Sequence, residues 1–531
     1  MNKRLLLLAI VAIAAGVRFW GLEFGLPHTD ARPDENFVIL VARSFLAGHF
    51  SPQFYDYPWL YMWVLTALYL VFYAWGVAMG WFHAFGDLLA SWPVHWAPFF
   101  VINRALSATL GTATVPLVYW IGRRIWNDGV GLIAAFFLAL AFLHVRDSHF
   151  GTTDVAVTFL IVLTVALLLD AHFTKPASLV SAGIAAGLAA ATKYSAVLLA
   201  APILTFQVLD ALRQPGRDWR TVFDRRFAGL AVACVLAFLI GVPFIWLAPE
   251  HFWVAMKVLA QTTQAGQGAV PEASGWLFHL RVSLWYGVGG TLLVAGLAGM
   301  LGIAIESPAV AALLFAFPLA YYGVAGSARD LFFRYAIPIV PFLCLSAAWA
   351  VWRVSGKATD KSSSVLAAVL AGAVVAPSAV SVYNFDHIIS QIDNRVVIAR
   401  WFDTHVPDGS SVLQSGSPYG HAQFTPDRHY RQWIWDRQGL FFKLGRRPAT
   451  GEPDWILLQE SPLPSETQST VKDLLAHDYA RVQDFIALNL DGPPRIYDQQ
   501  DAFFMPLAGF DGMRRPGPNF YLYKHAGAIS R

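Results

Sequence analysis

The sequence predicts a polytopic α-helical membrane protein that carries a C-terminal α/β domain outside the membrane. Three observations predict it. Apolar residues fill 56% of the 531 positions and charged residues only 14%, whereas a soluble globular chain carries about 25% charged residues. Apolar stretches long enough to cross a bilayer recur from the N-terminus to residue 384. Beyond that point the apolar runs shorten, and Pro, Gly, Asp and charged residues become frequent.

The first region reads as spans at 5–22, 99–121, 130–146, 154–172, 178–192, 194–212, 227–247, 282–304, 308–325, 336–353 and 364–384, about eleven in all by bilayer thickness. Only Lys193 separates 178–192 from 194–212, so one of the two is short or broken. The opening MNKR followed by LLLLAIVAIAAG reads as an uncleaved signal anchor rather than a removed signal peptide, because further spans follow. Cytoplasmic loops carry the excess of Lys and Arg. With Lys3 and Arg4 inside, Arg123, Arg124, Lys175, the cluster Arg213, Arg217, Arg220, Arg225 and Arg226, and the pair Lys357 and Lys361 all fall inside as well. The C-terminus is then outside, in a bacterial cytoplasmic membrane.

One apolar segment breaks this parity. Residues 59–82, WLYMWVLTALYLVFYAWGVAMGWF, are long enough to span. A lone crossing there would invert every later basic loop. The segment therefore either lies in the outer interface or is paired with 83–98; its Trp and Tyr content suits the interface and favours an outer juxtamembrane helix within a first outer loop of about 23–98. From residue 385 to 531, PDWILLQES and NFYLYKH read as strands bounded by turn residues. NRVVIARWFDTHV reads as an amphipathic helix closed by PDG. GKATDKSSS is an ordinary inner loop.

The net charge of +3, from 38 basic and 35 acidic residues, makes no case for nucleic acid as a partner. Cys234 and Cys344 both lie in apolar runs and form neither a metal spacing nor a disulfide framework. No phosphate-binding loop, dinucleotide fingerprint or HExxH motif is present, which argues against a cytoplasmic nucleotide-sugar donor.

Charge is expensive in hydrocarbon, so where it gathers is informative. The outer ends of the spans carry Arg18, then Asp30, Arg32, Asp34 and Glu35, then Arg104, then Arg146, Asp147, His149 and Asp154, then Lys193, and finally Arg329, Asp330 and Arg334. Pro33 suits the first position of a helix, which puts Asp34 and Glu35 in its first turn. Taken alone, these acids read as stabilisers of a helix start. Their functional reading is a general base that accepts the proton of an attacking hydroxyl. Asp154, at the outer start of its span, reads as a helix-start acid or a second functional carboxylate. Lys193 is a snorkelling lysine or a phosphate contact, and Arg334 with Tyr335 is an interfacial anchor or a phosphate fork. Arg104 joins them as a phosphate candidate. His149 and Tyr57 are candidates for contact with an acceptor or a metal.

At these residues the chain resembles the GT-C glycosyltransferases, most closely the bacterial family 39 group related to protein O-mannosyltransferases and to the aminoarabinose transferase of lipid A. PDENFVILVARSFLAGHFSPQFYDYPWLYMW, NRALSATLGTATVPLVYWIGRRIW, SHFGTTDVAVTFL, GLAAATKYSA and FRYAIPIVP carry the resemblance in order over most of residues 15–350. It implies a GT-C fold, a polyprenyl-phosphate sugar donor and an inverting transfer. It further implies a catalytic acid at Asp34 and Glu35, a second acid at Asp154, and a donor phosphate held by Lys193 and Arg334. The acceptor is an envelope glycan, lipid or protein; no MIR-type sugar-binding insert points to protein. Some relatives bind a divalent metal and others none, so the sequence permits a metal without demanding one. A transporter or flippase is the alternative, but it needs ionisable residues or broken helices near the mid-bilayer, and here the charges pool on one face. An assembly protein for envelope polymers has no need of paired acids at a membrane edge.

Overall fold

Long uncharged apolar runs form helices because every backbone polar group in hydrocarbon must be satisfied within its own segment. A computed structural model of the chain describes residues 2–50, 54–91, 95–173, 178–213, 224–265, 274–356, 361–436, 441–445, 447–463, 467, 469–501 and 503–528. Lys175, Arg217, Arg220 and Lys357, which enter the orientation argument, lie outside these residues. The chain divides into two compact units. One comprises Met1–Leu22, Phe37–Ala90 and Pro98–Tyr383; the other comprises Glu23–Asn36, Ser91–Ala97 and Asn384–Arg531.

Among the described residues of the chain, seven helices are long and apolar enough to cross a membrane: Leu60–Ala78, Ala97–Ile125, Thr153–Phe173, Tyr194–Leu212, Pro308–Ser327, Phe333–Val354 and a stretch within Ser362–His405. Two bent helix pairs raise the number to nine if each is one span. Three of the expected spans are helices shorter than eighteen residues: Lys3–Phe19, Ser178–Thr192 and Arg225–Gly241. The last stops well before residue 247 because Pro243 cannot continue it. Leu60–Ala78 is helical as expected, and its length and composition permit a crossing. Its Tyr61 hydroxyl hydrogen-bonds the Asn103 side chain (3.0 Å), and its Tyr69 hydroxyl donates to the Phe99 carbonyl (3.1 Å).

The expected straight span at 282–304 is broken. Gly275–Val288 and Gly290–Glu306 meet at 113° about Gly289, whose φ of +82° is open to glycine without strain. Asp128–Ala139 and Phe142–Ser148 meet at 56°. At that second break the Arg18 guanidinium donates to the carbonyls of Leu138 (3.0 Å) and Ala139 (3.1 Å) in the last turn of the first helix. Arg18 is fully buried. Its place in the outer collection of charges is therefore structural. Small residues permit close helix contact: a Cβ on Gly183 or Gly187 would stand 2.3 or 2.2 Å from the carbonyl oxygens of Leu230 and Cys234 on the facing helix.

The second unit is built on a seven-stranded mixed sheet: β1 (Ser411–Gln414), β2 (Arg431–Asp436), β3 (Phe441–Leu444), β4 (Arg447–Pro448), β5 (Trp455–Glu460), β6 (Tyr479–Phe485) and β7 (Asn519–His525). The order is β4-β3-β2-β1-β5-β7-β6. β1 runs parallel to β2 and β5, and the remaining pairs are antiparallel. Successive side chains point to opposite faces. Val412 accordingly joins the core made with Ile398 and Phe402 of helix Asn394–His405, while Leu413 joins Trp433, Ile456 and Val471 on the other side. The predicted strands and amphipathic helix fall at β5, β7 and Asn394–His405.

Candidate active site

In the helical unit, three chain breaks bring charge together. Asp154 lies in the first turn of Thr153–Phe173. Lys193 interrupts two apolar helices in an extended conformation (φ −152°, ψ 129°). Arg334 lies in the 3-10 turn Phe333–Ile339 that leads into Val340–Val354. Lys193 Nζ lies 2.5 Å from Asp154 Oδ1, and Arg334 Nε lies 3.9 Å from Asp154 Oδ2. The Thr152 hydroxyl donates to Asp154 Oδ2 (3.3 Å). All three charged side chains are largely buried, so their mutual attraction is weakly screened. A buried carboxylate braced by two cations is a fixed, prepaired arrangement with a surplus of positive charge.

Beside it is a cavity of about 540 Å³. Asp56, Tyr57, Lys193, Tyr194, Ser195, Tyr321 and Tyr335 supply its polar lining, and Leu198, Met256, Val324 and Ala325 part of its apolar lining. Lys193 Nζ stands 5.2 Å from the ring centroid of Tyr335 and 6.0 Å from that of Tyr57, within cation–π range. One cation, four phenols and an apolar flank, with a single carboxyl at Asp56 whose charged form burial disfavours, suit an anionic group linked to a hydroxylated ring and a hydrocarbon tail.

Five predicted residues are therefore gathered: Asp154, Lys193, Arg334, Tyr335 and Tyr57. Two others are corrected. Arg104 is fully buried away from the cavity lining, and its Nη1 donates to the Leu22 carbonyl (2.7 Å). His149 has a carbonyl at each ring nitrogen, Val145 O at Nδ1 and Trp20 O at Nε2, both at 3.0 Å. Neither nitrogen is left to ligate a metal. Among the described residues no three His, Cys, Asp or Glu side chains converge as a metal site. Asp56 was missed. It sits in the YDYP turn beside Tyr57, and partial desolvation raises its carboxyl above the usual carboxylate range. Its signal was an acid next to a singled-out tyrosine.

Asp34 and Glu35 belong to the other unit. They open the helix Pro33–Leu46, as Pro33 predicts. Their environments differ. Glu35 is fully buried, whereas the Asp34 side chain keeps 28% of its exposure and faces Arg32 (Nη2–Oδ2 3.7 Å). Within this unit the loop before them is tied to the strand connections of the sheet. His28 Nε2 lies 2.7 Å from the His421 carbonyl. The Thr29 amide donates to Gln423 Oε1 (2.9 Å), and Gln423 Nε2 donates to Asp30 Oδ2 (2.7 Å).

Residues 89–260 match the family described as dolichyl-phosphate-mannose-protein mannosyltransferase. No curated protein matches the chain in sequence. Among solved structures, ArnT from Cupriavidus metallidurans in the apo state is 14% identical, covers 98% of both chains and superposes with a TM-score of 0.57. The same enzyme bound to undecaprenyl phosphate is 15% identical over 90% of this chain and 96% of that one, with a TM-score of 0.53. The Archaeoglobus fulgidus oligosaccharyltransferase is 14% identical over 78% of this chain with a TM-score of 0.49, and this chain spans 62% of its length. The chain is therefore similar to this mannosyltransferase family over residues 89–260, and it shares the fold of ArnT along nearly its whole length.

Proposed function

We propose that the chain is an inverting glycosyltransferase that moves a sugar from a polyprenyl-phosphate donor to an envelope acceptor on the outer face of the bacterial cytoplasmic membrane. The observation that carries this reading is the pairing of Lys193 and Arg334 around Asp154 beside the tyrosine-lined cavity. A lipid phosphodiester bears a single negative charge, and two cations against one carboxylate answer it. When the bond to the anomeric carbon breaks, the departing phosphate monoester carries about −1.5 to −2 at neutral pH. The surplus positive charge therefore binds the leaving group more tightly than the donor, which is what speeds a transfer rather than merely holding a substrate. The fold's likeness to ArnT, a structure of which holds undecaprenyl phosphate, supports the same donor class.

The transfer is a single displacement. An acceptor hydroxyl attacks the anomeric carbon, its proton passes to a carboxylate, and the lipid phosphate leaves. Asp34 is the base, because its side chain remains partly exposed while Glu35 is enclosed. Asp154 orients Lys193 and Arg334 instead of taking a proton. Tyr57 and Tyr335 flank the ammonium and shape the sugar end. Incubating the purified protein with a panel of polyprenyl-phosphate sugars should consume one donor and release polyprenyl phosphate. If no member of the panel is turned over with any envelope fraction as acceptor, the reading fails.

A further inference from the structure

We propose that Asp501, in the C-terminal unit, is a positioning residue for Asp34 and acts through Arg32. This rests on the reading of Asp34 as the base. Arg32 precedes the helix Pro33–Leu46 by one residue, and its side chain is only 1% exposed. A guanidinium that deeply enclosed is costly to leave uncompensated, and a carboxylate partner offsets that cost. Asp501, itself 4% exposed, supplies the hydrogen bond and the ion pair to Arg32 Nη1. The other end of the same guanidinium, Nη2, stands 3.7 Å from Asp34 Oδ2. One arginine thus spans two carboxylates, one nearly closed off and the other partly open.

The loop carrying this arginine is held by the same unit at three further points: His28 on the His421 carbonyl, Thr29 and Asp30 on Gln423, and the Asp30 carbonyl on Arg395 Nη1 (3.5 Å). Arg395 is itself clamped by Asp393 through two hydrogen bonds of 2.9 and 2.7 Å. These contacts fix the main chain of residues 28–30. Asp501 holds the side chain that faces the base. With Asp501 in place, the Arg32 charge is shared and the guanidinium is held at a set distance from Asp34. Without it, the guanidinium is drawn toward Asp34, and the closer positive charge makes that carboxylate a weaker base. The C-terminal unit, which the sequence offered only as a variable outer domain, therefore acts on the chemistry through a side chain that touches no substrate.

The test is a double-mutant cycle in the full-length protein. Asp501→Asn should lower kcat by about tenfold to a hundredfold, the size expected when a reacting group is misplaced by roughly an ångström, with the KM for the polyprenyl-phosphate donor unchanged. In the Asp34→Asn background the same change should cost nothing further, because its effect passes through Asp34. Asp501→Glu keeps the ion pair at a longer reach and should recover part of kcat, which also serves if Asp501→Asn does not fold. A wild-type kcat in Asp501→Asn, or an equal loss in both backgrounds, overturns the proposal while leaving the base assignment standing. Normal turnover in Asp34→Asn instead overturns the reading beneath it.

Discussion

The two charged clusters are built in opposite proportions. In the helical unit, two cations, Lys193 and Arg334, face one carboxylate, Asp154. In the other unit, one cation, Arg32, faces two carboxylates, Asp34 and Asp501. A cluster with surplus positive charge favours a departing phosphate, and one with surplus negative charge favours taking a proton. The difference separates acids that look alike in sequence. Asp154 is spent on its cations, whereas Asp34 shares its cation with a second acid and keeps an exposed edge.

The largest effects should come from breaking either proportion. Asp34→Asn should reduce transfer by about 10²–10⁴-fold, the range of a lost general base, with membrane insertion and donor binding intact. Lys193→Ala should cost about 10²–10³-fold through lost stabilisation of developing charge, and it should also weaken binding of free polyprenyl phosphate, which Asp34→Asn should leave alone. Measuring turnover and product binding for both variants checks the contrast; equal effects on product binding would erase it.

A smaller effect falls on stability as the pH drops. Burial, with the Arg395 charge in second place, lowers His28 to about 3, and burial lowers His421 to about 4. Both fall below the free value of 6.5. The unfolded chain then takes up protons that the folded unit refuses, so stability is full above pH 6.5 and falls below it, by about 1.4 kcal/mol per pH unit per histidine at most. Thermal unfolding of the purified protein should show the loss between pH 7 and pH 5, and His28→Gln should lessen it. A melting temperature indifferent to pH in that window would contradict the assignment. The smallest effect on activity is expected for His149→Gln, whose amide can still donate to a carbonyl: kcat and the donor KM should stay near wild type, while a large fall in kcat would return His149 to the site.

Much of this was legible in the sequence because its causes are local. Apolar length marks helices, Pro33 marks a helix start, Lys193 between two apolar runs marks a break, and short apolar runs bounded by turn residues mark β5 and β7. Asp154, Lys193 and Arg334 were singled out because charge at the end of a span is conspicuous. Arg104 and His149 were equally conspicuous and have other work, since burial against the carbonyls of Leu22, Val145 and Trp20 depends on neighbours remote in sequence. Asp56 gave too little local signal to compete with the tyrosine beside it.

The sequence by itself determined the membrane class, the alternation of apolar helix and charged break, and the C-terminal sheet domain, because bilayer thickness and the two backbone periods write themselves along the chain. Only the tertiary structure decided which charges meet. The bends at Gly289 and beside Arg18, the bracing of Asp154 by two cations, and the seating of Arg32 against a carboxylate from the far end of the chain depend on distances between segments, and a one-dimensional pattern of burial and charge carries no record of those.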